Sequence, residues 1–310
     1  MQQEILLYNH AEMVPVTVDQ HPVSLCVSRV PPQDTTRSPR GRMLLLHGNP
    51  ANMHDFGALA ALLRDDFEVV ALDLPGFGRS ENVRCISAET VLHTYARHVV
   101  AAIDRIGWDG DFYLLGHSHG GGVAQTIAAL YPERIKGLIL LGSIGTPAHW
   151  GYQRLTWPGV ALGLRLLSRA LRLRSPREVR WRIVQAIMRP IFAPHPLART
   201  WIDAQLAVVD RRPEILVNMA LVAAGDPCGE LARIAPKIRA PTLFVHGDTD
   251  WLVPASHPRT LYETIARSVQ AEFHELLDTG HMLHISHPDR IQALILDWVR
   301  RLSSADSRSN

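Results

Sequence analysis

One pentad, Gly116-His117-Ser118-His119-Gly120, constrains this chain more than any other feature. It follows the apolar run 111–115 and precedes a helical pattern over 121–130. A strand that turns into a helix this abruptly leaves no room for side chains at the two flanking positions, so both are glycine. The serine between them is held on a strained corner, with its hydroxyl raised above the sheet. The helix that follows aims free N–H groups at the same space, where developing negative charge would be stabilised. Ser118 is therefore the candidate nucleophile.

Strand-like and helical segments alternate on both sides of that turn. Strands are expected over 14–18, 22–27, 42–47, 67–72, 111–115, 135–141, 241–246 and 272–277. Helices are expected over 56–64, 88–106, 121–130, from about 255, and in a last segment with Pro288 in its first turn. That last segment carries an apolar stripe at Ile291, Leu294, Ile295, Trp298 and Leu302. The polar tail 303–310 reads as disordered. This alternation gives an α/β fold with a mostly parallel sheet covered on both faces.

The alternation stops between residues 145 and 228, where Arg, Trp and Pro accompany helical stretches without a convincing strand. A core of 1–144 plus 229–310 is expected, with 145–228 as a helical cap over the carboxyl ends of the strands. Charge divides at the same place. The cap holds twelve arginines against five acidic residues, so the overall net charge of +2 leaves the core negative.

At 310 residues and 46% hydrophobic content the chain has material for one large domain with an insertion. No signal peptide is read at the N-terminus, and no run approaches the ~18 apolar residues of a membrane span. The three cysteines, Cys26, Cys85 and Cys228, are dispersed and odd in number, which suggests neither a disulfide framework nor a zinc site. A reducing cytoplasm is the expected compartment.

Serine is a poor nucleophile without a base held by a third group. Two loops that follow strands supply candidates. His281 lies after the last strand, and Asp250 lies in the turn after 241–246. The order Ser118, Asp250, His281 brings all three to one sheet edge. Asp248, two residues earlier in the same turn, is the competing acid. For the oxyanion, the backbone N–H groups of His119 and of Asn49, in the loop after the first parallel strand, are the expected donors. No cofactor and no metal is expected: His281, His284 and His287 match no metal-ligand spacing.

Taken together, His47-Gly-Asn-Pro50, Asp73-Leu-Pro-Gly-Phe-Gly-Arg-Ser80, Gly116 to Gly121, His246-Gly-Asp-Thr-Asp250 and Gly280-His281 resemble the motif series of the α/β-hydrolase superfamily. The resemblance covers nearly the whole chain outside the cap and is to the branch capped after the sixth strand. It implies a serine triad. Haloalkane dehalogenases and epoxide hydrolases share the His47 motif, but they use an aspartate where this chain has Ser118. Carbon–carbon bond hydrolases of aromatic-ring degradation share the serine triad but usually carry Trp where this chain has Met282. Cofactor-independent dioxygenases of this fold share the Ser-His pair, but they place the acid where this chain has Ser143. His284-Ile-Ser-His-Pro288 and the Asp73 to Ser80 turn are similar to carboxylesterases of the pimeloyl-carrier-protein methyl esterase kind. The resemblance therefore implies hydrolysis of a carboxylic ester, lactone or thioester of a small to medium, largely apolar molecule. Carbon–carbon bond cleavage and a non-hydrolytic lyase or dioxygenase reaction stay open.

Several residues also have plainer readings. His117 reads as packing beneath the turn, and His119 as contributing only its backbone. Asp73 reads as holding the Pro75 to Gly78 turn. The cap arginines, among them Arg165, Arg169, Arg172, Arg174, Arg177, Arg180 and Arg182, read first as a solvated helix face. They could also bind a substrate carboxylate, or dock onto an acidic carrier protein or a membrane surface. Trp150, Trp157, Trp181 and Trp201 read as cap core and pocket lining. Nucleic-acid binding is not expected.

Overall fold

The computed structural model describes residues 7–83, 91–146, 177–192, 194–196, 199–211 and 227–309, with the single positions 159, 162, 163, 166 and 218. Strands β1 (Ala11–Val18), β2 (His21–Val30), β3 (Arg42–Leu46), β4 (Glu68–Leu72), β5 (Phe112–His117), β6 (Ile135–Leu141), β7 (Thr242–Gly247) and β8 (Ala271–Leu276) form one sheet. Their order is β1-β2-β4-β3-β5-β6-β7-β8. Pairings β1–β2 and β2–β4 are antiparallel, and every pairing from β4 to β8 is parallel.

The central strands carry continuous apolar runs, such as 43–46, 69–72 and 138–141, because both faces of the sheet are covered. Leu44, Leu46, Val70, Leu114 and Leu140 pack into the core on one face. Met43, Leu45, Val69, Leu115 and Ile139 pack into the core on the other. Side chains that alternate across a strand thus enter two separate cores. Each fully buried Leu or Val contributes about 2 kcal/mol, so the sheet forms a rigid platform.

The helices are α1 (Gly57–Leu63), α2 (Val91–Arg105), α3 (His119–Leu130), α4 (Arg177–Phe192), α5 (Arg199–Arg211), α6 (Pro227–Ile234), α7 (Ser256–Ile265), α8 (Leu283–Ser286) and α9 (Pro288–Ser309). Apolar residues of α2, α3, α6 and α7 cover the first face, while those of α1 and α9 cover the second. The helix expected over 88–106 is described from Val91, and 84–90 lies outside the described residues.

One expectation needs correction. The tail read as disordered continues α9 as helix to Ser309. The Ser303 and Ser304 hydroxyls donate to the Val299 and Arg301 carbonyls at 3.1 and 2.8 Å, which ties the start of the polar end to the helix. Between the loop bearing His281 and α9 the chain forms the short helix α8.

The chain passes from β3 to β4 on one side and then returns to β5 on the other. That reversal opens a crevice at the carboxyl ends of β3 and β5, the place where open α/β sheets carry their sites. Ser118 follows β5 there directly.

Candidate active site

Ser118 has φ 52 and ψ −119, a conformation that non-glycine residues rarely adopt. Its neighbours hold it there. Its N–H donates to the Leu141 carbonyl at 3.1 Å, and its carbonyl accepts from Gly121 and Ile144 at 3.0 and 3.2 Å. The flanking glycines are steric necessities. A Cβ on Gly116 would lie 2.4 Å from the Gly120 carbonyl oxygen, and one on Gly120 would lie 2.3 Å from the carbonyl oxygens of Leu46 and His47. Such local strain persists where the surroundings over-determine it, and it characterises functional sites.

His281 and Asp250 meet at the same edge. The His281 Nδ1 and Asp250 Oδ2 are 2.7 Å apart, and both residues are buried. The other Asp250 oxygen accepts from the backbone N–H groups of Leu252 and Val253 at 3.0 and 2.9 Å. Burial pushes this carboxyl up, but the charge and hydrogen bond of His281, the nearby His246 and the Val253 N–H outweigh it, so its pKa is lowered. A carboxylate fixed in this way sets the imidazole tautomer, with Nδ1 carrying the proton. Asp248, the alternative acid, instead accepts from the Thr279 N–H at 3.0 Å and shapes the turn.

Ser118 and His281 line one cavity of about 30 Å³, near the size of a single water. Gly48, Asn49 and Pro50 form one wall, while Ile191, Trp201 and Met282 form another. Asn49 thus borders the nucleophile, and His119 opens α3 directly after it. The His119 ring points away and packs edge-on against Tyr95 with centroids 5.9 Å apart.

Buried, neutral histidines surround this arrangement. The His117 Nε2–H donates to the His281 carbonyl at 3.0 Å, joining the residue before Ser118 to the backbone of His281. Its ring packs on His284 with centroids 4.3 Å apart, and His284 in turn packs on Phe56 at 4.8 Å. Burial, followed by the nearby His284 and His281, depresses the His117 pKa well below the ordinary value. His47 accepts from the Leu74 N–H through Nε2 at 2.9 Å and donates through Nδ1 to the Gly48 carbonyl at 2.7 Å. It thereby ties the Asn49 loop to the Asp73 turn. His246 donates through Nε2 to the Val253 carbonyl at 2.8 Å and supports the turn of Asp250. The sequence signal for His246 was its place in the quoted motif; the support it gives was legible only in three dimensions.

Asp73 holds its turn as read from the sequence. It accepts from the Met53 and Arg79 N–H groups at 2.9 and 2.8 Å and from the Tyr8 hydroxyl at 2.8 Å. The Ser143 hydroxyl accepts from the Gln125 side-chain amide at 3.0 Å. Among the arginines of 145–228, Arg182 lies 3.7 Å from Glu178 on the surface. Arg199, also near Glu178, stacks over Trp181 at 4.9 Å. Arg165, Arg169, Arg172, Arg174, Trp150 and Trp157 lie outside the described residues. Among the described residues no group of three or more His, Cys, Asp or Glu side chains could hold a metal ion, and no helix is long and apolar enough to cross a membrane.

A mostly parallel sheet covered on both faces, with a strained serine where its strand order reverses, defines an α/β hydrolase. The profile of the α/β hydrolase fold family matches residues 41–288, and the chain belongs to that family. It is a hydrolase. It is similar to 2-hydroxymuconate semialdehyde hydrolase of Pseudomonas sp. strain CF600, with 28% identity covering 86% of this chain and 95% of that protein. It is also similar to a 2-hydroxy-6-oxononadienedioate/2-hydroxy-6-oxononatrienedioate hydrolase of Klebsiella pneumoniae, with 29% identity covering 77% and 79%. Among solved structures, a thermophilic esterase from Thermogutta terrifontis superposes with a TM-score of 0.70 at 22% identity, covering 94% of this chain and 98% of that one. At that identity the likeness speaks for the fold alone.

Proposed function

We propose that this hydrolase cleaves a carboxylic ester through an acyl-Ser118 intermediate. The observation that carries the reading is a strained serine sharing one cavity with a histidine whose far nitrogen is held by a buried carboxylate. Ser118 Oγ attacks the ester carbonyl carbon while His281 Nε2 takes the hydroxyl proton. The resulting imidazolium is stabilised by Asp250. The N–H groups of His119 and Asn49 stabilise the oxyanion. Collapse breaks the acyl–oxygen bond, and His281 returns its proton to the departing alcohol. Water then repeats the sequence on the acyl-serine and releases the acid.

A second reading, carbon–carbon bond hydrolysis, is favoured by the names of the curated relatives, which include hydrolases of 2-hydroxymuconate semialdehyde and of 2-hydroxy-6-oxo dienedioates. Against it stands Met282, buried against the cap where those enzymes usually carry Trp. A methionine offers a flexible apolar wall in place of a rigid indole.

Hydrolysis of p-nitrophenyl esters from acetyl to decanoyl, with a 2-hydroxy-6-oxo dienoate in parallel, tests the choice. Turnover of the esters that Ser118→Ala abolishes is the expected result. Turnover of the dienoate alone would move the assignment to the second reading.

A further inference from the structure

Asp55 is 3% exposed, yet it lies in a short turn outside the catalytic machinery. One of its oxygens, Oδ1, accepts two hydrogen bonds, both from cap helix α5: the Trp201 Nε1–H at 2.8 Å and the Gln205 amide at 3.0 Å. Positions 201 and 205 are one helical turn apart, so α5 presents both donors on a single face. The Gln205 carbonyl oxygen accepts in turn from the Asn52 amide at 3.1 Å. This forms a closed polar clamp between the loop after β3 and the cap. The indole held by the clamp also walls the cavity of Ser118 and packs on Phe192 and Met282.

We propose that Asp55 is a positioning residue for substrate selection, latching α5 so that Trp201 stays fixed as the wall that limits the site beside Ser118. A buried carboxylate costs solvation, and its two donors offset that cost only while α5 is seated. When α5 lifts, water replaces both donors and rehydrates the carboxylate, so the latch opens reversibly. A hydrophobic contact at this point would hold Trp201 less directionally. The two hydrogen bonds fix the indole's orientation as well as its position.

The kinetic part of this inference rests on the ester-hydrolase reading, whereas the structural part does not. The test compares Asp55→Ala, Asp55→Asn and Gln205→Leu in the full chain by two readouts: the p-nitrophenyl ester chain-length profile, and amide hydrogen exchange of residues 199–211. Asparagine keeps an Oδ1 that can accept both donors. In Asp55→Ala, KM for the shortest esters is expected to rise about tenfold with kcat within threefold, and the optimum to move to longer chains. Exchange in α5 is expected to accelerate at least tenfold. Asp55→Asn should restore both readouts to the parent pattern. Gln205→Leu, which removes one of the two donors but keeps the Trp201 bond to Asp55, should show a smaller shift in the same direction. If no variant or parent turns over any ester while exchange still separates alanine from asparagine, the ester reading fails and the latch stands. Parent-like exchange and an unchanged profile in Asp55→Ala would overturn the latch.

Discussion

Acidification should unfold this protein mainly through buried histidines around the nucleophile. His47, His117, His119 and His284 are each no more than 1% exposed. Burial holds the pKa of His47 near 4 and those of His119 and His284 near 3, and it drives His117 well below the ordinary value of 6.5. Between the folded and unfolded pKa values, the unfolded chain binds protons that the folded chain refuses. Stability therefore rises with pH in that window and is complete only above about 6.5. Asp73 acts in the opposite sense. Burial raises it to about 6 in spite of its hydrogen bonds, so near pH 5 the folded state holds a proton that the unfolded state lacks. His54 adds a fifth histidine, since burial lowers its pKa to about 4 as well. Five histidines less one aspartate leave a net uptake of about four protons on unfolding, which corresponds to a slope of about 5 kcal/mol per pH unit near pH 5. Urea titrations at pH 7.5, 6, 5.5 and 5 measure the slope directly. A stability that is flat from pH 6.5 to 5 would refute the neutral, buried state of these rings.

Other outcomes follow from single contacts. Ser118→Ala should abolish ester turnover while leaving the melting temperature within a few degrees of the parent; residual activity within tenfold would sink the acyl-serine mechanism. Asp250→Asn keeps an acceptor for the Leu252 and Val253 N–H groups but turns an amide toward His281, which stabilises the wrong tautomer. Its kcat should fall by about 10⁴ with little change in KM, as read from initial rates. Gly120→Ala places a methyl 2.3 Å from two backbone oxygens that cannot rotate away. It should cost about 3 kcal/mol and lower the melting temperature by roughly 6–12 °C. A calorimetric trace that superposes on the parent's would contradict the close approach.

The fold and the outline of the site were legible in the sequence because each rested on a local rule. Continuous apolar runs such as Met43 to Leu46 and Val69 to Leu72 belong to strands buried on both faces, and they appear as such before any tertiary contact is known. Gly116 and Gly120 mark a turn that admits no side chain, and they identify Ser118 without reference to the rest of the chain. His281 and Asp250 were legible from chain order and from their places just past strand ends. The tail 303–310 was misread because its polar composition carries no apolar stripe, whereas in the fold it continues an established helix, with the Ser303 and Ser304 hydroxyls bonded back to the Val299 and Arg301 carbonyls.

Only the tertiary structure decided what lies between distant segments. Asp250 and Asp248 sit in one turn, and sequence spacing alone left both open. Packing of the Thr279 turn against Asp248 and of the His281 ring against Asp250 separates them. His117 reads from sequence as filler beneath the turn; its hydrogen bond to the His281 carbonyl spans 164 positions. Asp55 is not singled out by the sequence at all; Trp201, 146 positions away, bonds to it only in the fold. Such side chains carry no local signature, because what makes them act is desolvation by a partner from elsewhere in the chain. Burial and directional hydrogen bonding across the crevice are properties of the assembled fold, whereas strand periodicity and glycine sterics are properties of the segment itself.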